Sequence, residues 1–434
     1  MRSSIPGLKR IPVDLDEFLN FVCPDPGLKQ VIDKFQKLAE NRGEFLYFVG
    51  GVVRDFVLFK KGELKDLPKE KDIDIVLEGD TKEFVKELLQ MISGKVLFST
   101  KFLTYKLKIN TFNTSFYVID LVTARKEKYP DVAVLPEVEP GTFEDDIKRR
   151  DFTINTLAVG LTSPFKGYLL DLLNGLKDLD RKLVVPIHRN SFVDDPTRIF
   201  RGIRYKVRLG FDFSKTFFEA LERANAKKSI ERLSASRIFN ELNLFVHKEK
   251  ETLWKDLFVS LEELGILKVL GLKFRKDVES VCKEFIEIKS KVKEKYQTKA
   301  LLLGLIEGEV TDRLKRIGFL EKEVKRIEKS FYLLKAVEEA APREKVETFE
   351  RIEDWILFGA MFHLPKLKEE VIRYFKVYKN INLSLNGEDL KSLGIKEGRL
   401  IGKALKELKL AYYLGEISTP EEEKVWLKNR GFLP

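Results

Sequence analysis

A pair of adjacent glycines with a nearby arginine is suited to holding a phosphate group. Gly50 and Gly51 follow the apolar run 45–49, and Arg54 and Asp55 come one helical turn later. Glycines let backbone N–H groups approach an anion closely, and the positive end of the helix that begins there favours negative charge. A guanidinium in that position could bind a triphosphate. The turn is therefore a candidate phosphate site.

Two carboxylates follow this turn after a short polar gap. In Asp72-Ile73-Asp74 the period of a strand places both aspartates on one face, while Ile73 and Ile75 point into a core. Carboxylates aimed at one point repel each other unless cations lie between them, and Mg²⁺ is the usual ion beside phosphate substrates. Alone, such a pair is more often a solvated strand edge. Beside the glycine turn, it indicates metal-assisted nucleotidyl transfer.

A third group of polar residues stands at the start of a predicted helix. Arg149 and Arg150 precede Asp151, and Asn155 follows four residues later. This arrangement would place cations and amide groups at the start of that helix. Asp151 could also cap the helix, and the two roles are compatible.

A single acid interrupts an otherwise apolar strand. Asp120 lies within 117–122, where an unpaired buried carboxylate would be unfavourable. It is therefore a candidate third carboxylate beside the metals. The segment 125–142 contains three prolines and predicts an irregular, mobile loop.

Arginines recur at helical spacing after Asp195 and Pro196. Pro196 suits the first turn of a helix, with Asp195 near its cap. The arginines that follow are Arg198, Arg201, Arg204 and Arg208. A charged stripe is usually a solvated helix face, but four arginines without an interleaved acid would repel one another there. The stripe therefore favours an anionic ligand.

The elements that must position these residues divide the chain in two. From about 44 to 160 strand and helix patterns alternate, and after about 165 amphipathic helical patterns dominate. The predicted strands are 45–49, 72–77, 95–98, 103–109 and 115–124, with helices at 51–60 and 81–91. Helical patterns in the second part include 216–225, 235–244 and 277–295. We therefore predict a small head of strands and helices before a long helical remainder.

The composition limits the class of protein. The 434 residues include 79 Lys and Arg against 69 Asp and Glu, a net charge of +10 that favours a polyanionic partner. Cys23 and Cys282 offer neither a disulfide framework nor a zinc cluster. No apolar run is long enough to span a bilayer, and the N-terminus has no signal-peptide core. We therefore expect a cytoplasmic protein with no membrane partner, of undetermined oligomeric state.

Together, the motifs resemble those of class II tRNA nucleotidyltransferases and the related bacterial poly(A) polymerases, of the DNA polymerase β superfamily. The matching segments are 50–55, 72–74, 149–155, 194–204 and, at the RNA-binding end, 386–402. The fourth motif commonly begins with Glu in this family and begins with Asp194 here. That departure bears on the subtype more than on the mechanism.

The resemblance implies an α+β fold. It implies an N-terminal polymerase β-like nucleotidyltransferase head with a mixed five-stranded sheet and helices, followed by an all-helical neck, body and tail. The implied boundaries are 1–40 for a helical lead-in, 41–165 for the catalytic head, 166–250 for the neck, 251–343 for the body and 344–434 for a tRNA-binding tail.

The resemblance also implies a role for each matched residue. Asp72 and Asp74 would ligate two Mg²⁺ ions, one activating the 3′-hydroxyl of the RNA and one holding the triphosphate, with Asp120 as a further catalytic candidate. The residues implied to bind the nucleotide are Gly50, Gly51, Arg54, Asp55, Arg149, Asp151, Asn155, Asp195, Arg198, Arg201 and Arg204. Those expected to bind RNA are Lys391, Lys396, Arg399 and Lys403.

Asp195 and Arg198 match the pair that reads the incoming base without a nucleic-acid template. Cytosine and adenine each offer an amino donor beside a ring-nitrogen acceptor, which suits a carboxylate beside a guanidinium. Guanine and uracil reverse that order, at a cost of about 1–3 kcal/mol per unmade hydrogen bond. The pair would therefore admit CTP and ATP and reject GTP and UTP.

The leading interpretation is an enzyme that adds C and/or A to the 3′ end of tRNA, with release of pyrophosphate. A poly(A) polymerase on the same fold, or an enzyme that adds only CC or only the final A, is an alternative. A non-catalytic RNA-binding protein is disfavoured, because such a protein gains nothing from the paired carboxylates of Asp72 and Asp74. The long basic helical part favours RNA over a small-molecule acceptor.

Overall fold

The chain forms two compact units, Met1–Leu233 and Ser234–Pro434. The computed structural model describes residues 5–64, 73–111, 116–308, 312–395 and 398–433. In these residues every named strand lies in the first unit, and the second unit is helical. The α+β class is therefore confirmed. The predicted boundaries of head, neck, body and tail are finer than this division and stay predictions.

The first unit alternates strands and helices along the chain. Its strands are β1 (Lys9–Pro12), β2 (Phe45–Val49), β3 (Ile73–Glu78), β4 (Gly94–Ser99), β5 (Thr104–Asn110), β6 (Phe116–Thr123), β7 (Arg125–Lys128), β8 (Glu137–Pro140), β9 (Ala158–Gly160), β10 (Tyr168–Asp171), β11 (Leu183–Val184) and β12 (Asp212–Phe213). Its helices are α1 (Leu15–Val22), α2 (Pro26–Arg42), α3 (Gly51–Lys60), α4 (Thr81–Met91), α5 (Phe143–Lys148), α6 (Gly175–Asp180), α7 (Ser191–Asp194), α8 (Thr197–Leu209) and α9 (Lys215–Ala226), with a 3₁₀ turn at Thr153–Asn155.

Within the described residues, eight strands form one mixed sheet in the order β1-β10-β9-β2-β3-β6-β5-β4. Only β3 and β6 run parallel among these neighbours. All five predicted strands are present as β2 to β6. The sheet is larger than predicted because β1, β9 and β10 join it, and strands of three or four residues carry too little alternation for a periodic signal.

The sheet has one face that is only partly covered. A core cluster that includes Tyr47, Val76 and Phe143 packs on that face. On the opposite face Ile75 and Ile119 are buried, on the side where α4 contacts β6. Asp74 precedes the cluster on β3 and is half-buried. The covered part of the face therefore ends where the predicted carboxylates begin.

The expected mobile loop at 125–142 is in part an ordered ribbon. Strands β7 and β8 pair antiparallel, with Lys126 opposite Glu139 and Lys128 opposite Glu137. Pairs of opposite charge across a ladder stabilise it. The prolines misled the prediction because they stand outside the paired residues or at the end of β8.

The second unit consists of helices. They are α10 (Ala235–Lys248), α11 (Trp254–Glu263), α12 (Ile266–Val269), α13 (Val278–Ile288), α14 (Glu294–Leu305), α15 (Glu321–Ala336), α16 (Pro342–Phe349), α17 (Asp354–Met361), α18 (Pro365–Lys376), α19 (Gly387–Ser392), α20 (Gly398–Leu414) and α21 (Pro420–Asn429), with 3₁₀ turns at Glu251–Leu253, Lys289–Lys291, Asp312–Ile317 and Tyr378–Asn380. No helix in the described part of the chain is long and apolar enough to cross a membrane.

The helical pattern predicted at 277–295 is two helices. Helix α13 ends at Ile288, and the backbone at Val292 is extended, with φ −99° and ψ 125°. Val292 is buried there, and helix α14 begins two residues later. Val292 is apolar and buried, so it continues the helical hydrophobic pattern although its backbone is extended. The pattern therefore predicted one helix where the structure has α13 and α14.

Candidate active site

The glycine turn links β2 to α3. Gly50 has φ 76°, a conformation that favours glycine, and its N–H donates to the carbonyl of Leu157 at 3.1 Å. A Cβ at this position would lie 3.2 Å from Nη1 of Arg150. From Gly51 onward, the first turn of α3 has N–H groups without intrahelical carbonyl partners, which is where a phosphate could bind.

Arg54 is buried in the first unit and hydrogen-bonds to two other residues of the predicted site. Its side chain is 3% exposed, and Nη1 donates to Oδ1 of Asn155 at 2.8 Å. Nε and Nη2 donate to Oδ1 of Asp55 at 2.9 and 2.7 Å. The sequence-predicted residues Arg54, Asp55 and Asn155 therefore lie together. The geometry gives Arg54 a positioning role, and its direct contact with a triphosphate stays a prediction.

Asp151 connects this group to the arginine helix. Its Oδ1 accepts from Nδ2 of Asn155 at 3.0 Å, and its Oδ2 accepts from Nε of Arg201 at 2.7 Å. Burial opposes ionisation, but Arg201 and the Asn155 hydrogen bond prevail and lower the pKa of Asp151 to about 2. The carboxylate is therefore ionised at neutral pH and holds α8 against the turn at 153–155.

A buried acid that we did not predict holds the two arginines of the third motif. Asp146 on α5 is fully buried and accepts from Arg149 on Oδ1, at 2.8 and 2.6 Å, and from Arg150 on Oδ2, at 3.2 and 2.9 Å. Burial disfavours its charge, yet the two guanidinium groups lower the pKa of Asp146. The spacing of three and four residues within a helix is the signal that could have revealed this clamp.

Arg198 is buried and bonded within the protein. It donates from Nη1 to Oγ of Ser191 at 2.8 Å and from Nη2 to the carbonyl of Arg149 at 2.7 Å. Its Nη2 also lies 3.3 Å from the hydroxyl of Tyr129, which in turn donates to Glu127 at 2.9 Å. The arginines of the stripe thus obtain partners from distant segments, which an isolated helix sequence cannot show.

Asp195 stands at the start of α8. Its Oδ1 accepts from the N–H of Thr197 at 3.0 Å and from the Thr197 hydroxyl at 2.6 Å. This contact is the capping role considered above, and it is compatible with a second role in reading a base. Asp195 and Arg198 lie three residues apart at the start of α8, and their joint role in reading a base stays a prediction. Arg204 is half-buried further along the same helix.

The carboxylates lie in one row across the sheet. Asp74 on β3 is the register partner of Asp120 on β6, and Asp120 is the register partner of Lys106 on β5. The Nζ of Lys106 lies 2.8 Å from a carboxylate oxygen of Asp120. Strand β2 runs antiparallel to β3, so the glycine turn at the end of β2 meets the start of β3. Asp72 lies outside the described residues.

The row is chemically suited to a magnesium ion, because Mg²⁺ prefers oxygen ligands and two carboxylates are supplied by neighbouring strands. No set of three His, Cys, Asp or Glu side chains converges within the described residues. Lys106 offsets part of the negative charge of Asp120 when the site holds no cation.

The residues expected to bind RNA belong to the second unit. Lys391 on α19 and Arg399 and Lys403 on α20 are exposed. Lys396 lies outside the described residues. The structure therefore places three of the four cations at the surface around the connection between these two helices.

Part of the chain is similar to a known protein family and to named enzymes. The family described as "Poly A polymerase head domain" matches residues 46–185. A-adding tRNA nucleotidyltransferases of Aquifex aeolicus and Halalkalibacterium halodurans are 35% and 34% identical over 204 and 248 residues, or 47% and 56% of this chain. The chain spans 23% and 55% of the lengths of these two relatives.

The fold is shared over nearly the whole chain. A solved CCA-adding enzyme in an apo form aligns with a TM-score of 0.71 and 23% identity, and covers 98% of this chain and 100% of its own. This likeness shows that the α+β head and the helices that follow are a known architecture.

Proposed function

We propose that the protein is a template-independent RNA nucleotidyltransferase, of the family described as "Poly A polymerase head domain" that matches residues 46–185. It adds C and/or A to the 3′ end of tRNA, using CTP and/or ATP and releasing pyrophosphate. The observation that carries the proposal is the in-register row of Asp74 and Asp120 beside the glycine turn.

The proposed chemistry assigns each part of the site a task. Asp72, Asp74 and Asp120 would hold two Mg²⁺ ions, whose chemistry is to lower the pKa of the RNA 3′-hydroxyl and to neutralise the triphosphate. The first turn of α3 and the arginines held by Asp146 would contact the phosphates. The bonded group of Arg54, Asn155 and Asp151 keeps that geometry fixed, which supports transfer because catalysis depends on orientation.

The base would be chosen on α8. Asp195 and Arg198 offer an acceptor and donors within one turn, as C and A require and G and U do not. Arg198 already has three protein partners, so a bound base would share or replace one of them. A pre-bonded guanidinium is rigid, and rigidity favours discrimination among bases.

The names of the similar proteins bear on how many nucleotides are added. The two relatives described above are named A-adding enzymes, so addition of the final A alone is one form of the proposed reaction. Because tRNA is the proposed acceptor, we propose that the protein acts in the cytoplasm. A poly(A) polymerase remains the second candidate, since the head-domain family carries that name.

A primer-extension assay tests the proposal. Purified protein receives tRNA transcripts ending at the discriminator base, at C or at CC, together with each NTP separately and Mg²⁺. We expect incorporation of C or A on at least one tRNA and none of G or U. One A on the CC transcript, without incorporation of C on the two shorter transcripts, identifies an A-adding enzyme, whereas a long A tract identifies a poly(A) polymerase. No incorporation on any transcript would refute the proposal.

A further inference from the structure

The row of carboxylates continues across the sheet into an aromatic and basic surface. On β5 and β4 the next register partners are Lys106 and Phe98. The Nζ of Lys106 lies 6.0 Å from the centre of the Phe98 ring, so both side chains share the face that carries Asp120. The sheet therefore presents the row Asp74, Asp120, Lys106, Phe98 on one face.

Further aromatic and basic side chains lie beside this row. Lys95 on β4 is the register partner of Lys108 on β5, and the Nζ of Lys108 lies 3.8 Å from the centre of the Phe116 ring on β6. Phe98 and Phe116 are 50% and 58% exposed. We call Lys95, Phe98, Lys106, Lys108 and Phe116 the outer sheet face.

Two lysines of the outer sheet face lie close enough to repel each other, and an anion between them would reduce that repulsion. Lys95 and Lys108 stand directly opposite each other, and like charges across a ladder are destabilising. Among the described residues, neither lysine has a carboxylate within ion-pair distance. An anion placed between them would relieve the repulsion.

Aromatic faces interleaved with lysines suit single-stranded nucleic acid. Bases stack on aromatic rings, while lysines follow the phosphates, and duplex RNA offers no unstacked bases for this purpose. Two strand spacings of about 4.8 Å separate the backbones at Asp120 and Phe98, so the ring lies roughly 10 Å from the carboxylate. This distance is comparable to the size of one nucleotide.

We propose that the outer sheet face binds the single-stranded 3′ end of the RNA acceptor, with a base near that end stacked on Phe98 and a phosphate between Lys95 and Lys108. This inference rests on the proposed function and names the acceptor subsite of the same head. Phe98 is a positioning residue: it fixes the strand so that the terminal hydroxyl reaches the carboxylate row.

A fluorescence experiment tests the stacking without requiring catalysis. The probe is a tRNA transcript that ends in 3′-deoxy-2-aminopurine, whose fluorescence changes when the base stacks. We expect quenching by the wild-type protein, loss of that quenching with Phe98→Ala and recovery with Phe98→Trp. Phe218→Ala is the control, because Phe218 is also a half-exposed phenylalanine, at 46%, but lies on α9. A blunt RNA hairpin without a single-stranded end should show no dependence on Phe98.

Kinetics and salt dependence provide the second readout. Phe98→Ala should raise the KM for the RNA about tenfold and leave the KM for the nucleotide unchanged, as the loss of one stacked base predicts. The double variant Lys95→Gln, Lys108→Gln should reduce the slope of log K against log salt by about 1.

The outcomes separate the two proposals. Equal quenching by wild type and Phe98→Ala, or an equal KM for RNA, overturns the acceptor subsite and leaves Lys95 as a charged residue that protects the edge strand β4. Quenching that depends on Phe98, in a protein that incorporates no nucleotide, refutes the proposed reaction while it supports a single-strand binding face.

Discussion

At the scale of single residues, Asp74 is the carboxylate whose loss should separate chemistry from binding. Asp74→Ala should abolish nucleotide transfer, because the ions it would hold serve the reacting atoms, while tRNA affinity stays within about twofold. Asp72→Ala should behave alike. The measurements are single-turnover incorporation and filter binding. Asp33→Ala removes an exposed aspartate from α2 and serves as the control. Near wild-type turnover in Asp74→Ala would show that the metal assignment is wrong.

Base choice should depend on Asp195 and Arg198. Asp195→Asn supplies an amide that both donates and accepts, so discrimination against G and U should relax. Arg198→Ala should slow incorporation of C and A alike. It should also lower stability by about 1–3 kcal/mol, because the carbonyl of Arg149 loses its donor.

Ser191→Ala is the matched control for Arg198→Ala. It removes one hydrogen bond of the guanidinium and retains the guanidinium itself. Competition among four NTPs on one tRNA gives the preference, and denaturant unfolding gives the stability. If both substitutions at 195 and 198 preserve the preference for C and A, Asp195 serves only as a cap.

Asp151 should give the fold a defined acid dependence. Its pKa is about 2 in the folded chain against an ordinary value near 3.8, so its ionisation stabilises the fold above pH 4, and that contribution is lost as pH falls towards 2. Asp151→Asn should be about 2 kcal/mol less stable than wild type at pH 7, and the difference should narrow below pH 4. Urea unfolding at pH 7 and pH 3 measures it.

Asp178 offers a control of opposite sign. Burial raises the pKa of Asp178, so the wild-type carboxylate loses stability as pH rises through its titration range. Asp178→Asn should therefore gain stability relative to wild type with rising pH. A pH-independent difference for Asp151→Asn would show that Arg201 and Asn155 do not stabilise its charge.

At the scale of elements, α5 should act as the clamp of the third motif. Asp146→Asn removes the buried carboxylate shared by Arg149 and Arg150, leaves Arg149 paired with Glu127 at 3.2 Å, and should lower the free energy of unfolding by about 3 kcal/mol. Transfer should slow as well, because the two arginines lose their fixed positions. Glu144→Gln removes an exposed pair with Lys148 on the same helix and should cost less than about 0.5 kcal/mol. Equal unfolding midpoints for the two variants would contradict the clamp.

The elements show why sequence reasoning found some parts of the head and missed others. The run 45–49 and the helices 51–60 and 81–91 were predicted with their bounds, since local periodicity and glycine and aspartate at helix starts determine them. Strand β1 pairs with β10 across a long sequence separation, and nothing local records such a pairing. Asp146 was missed because an acidic first turn looks like an ordinary helix start.

The identities of the candidate site residues could be predicted from sequence motifs. Their burial and their contacts with one another could not. The sequence located Arg54, Asp151, Asn155, Arg198 and Arg201, and the structure brings them together. The burial of Arg54 and Arg198 and their protein partners come from tertiary packing. The row that joins Asp120 to Lys106 depends on strand register, which a single sequence does not fix.

At the scale of the whole molecule, the predicted tRNA clamp lies in the second unit. A cut at residue 344 would divide α16 and remove α17, which packs on α14, so substitutions are a cleaner test than truncation. Replacing Lys391, Arg399 and Lys403 by Gln should weaken tRNA binding and reduce the salt slope by about 2. The control variant replaces the exposed residues Lys322, Lys329 and Lys335 on α15 by Gln, which changes the net charge by the same amount. If both triple variants lose the same affinity for tRNA, the three cations on α19 and α20 do not form the tRNA clamp.

The strand order of the head also has a consequence for how the protein is made. The inner strand β2 pairs with β9, and the edge strand β1 pairs with β10, which ends at Asp171. A ribosome must therefore finish about forty per cent of the chain before the sheet can close. At roughly 5–20 residues per second this takes on the order of 10–30 s. During that interval the partners of β1 and β2 are missing, so slowing translation before codon 171 should lower the yield of folded head.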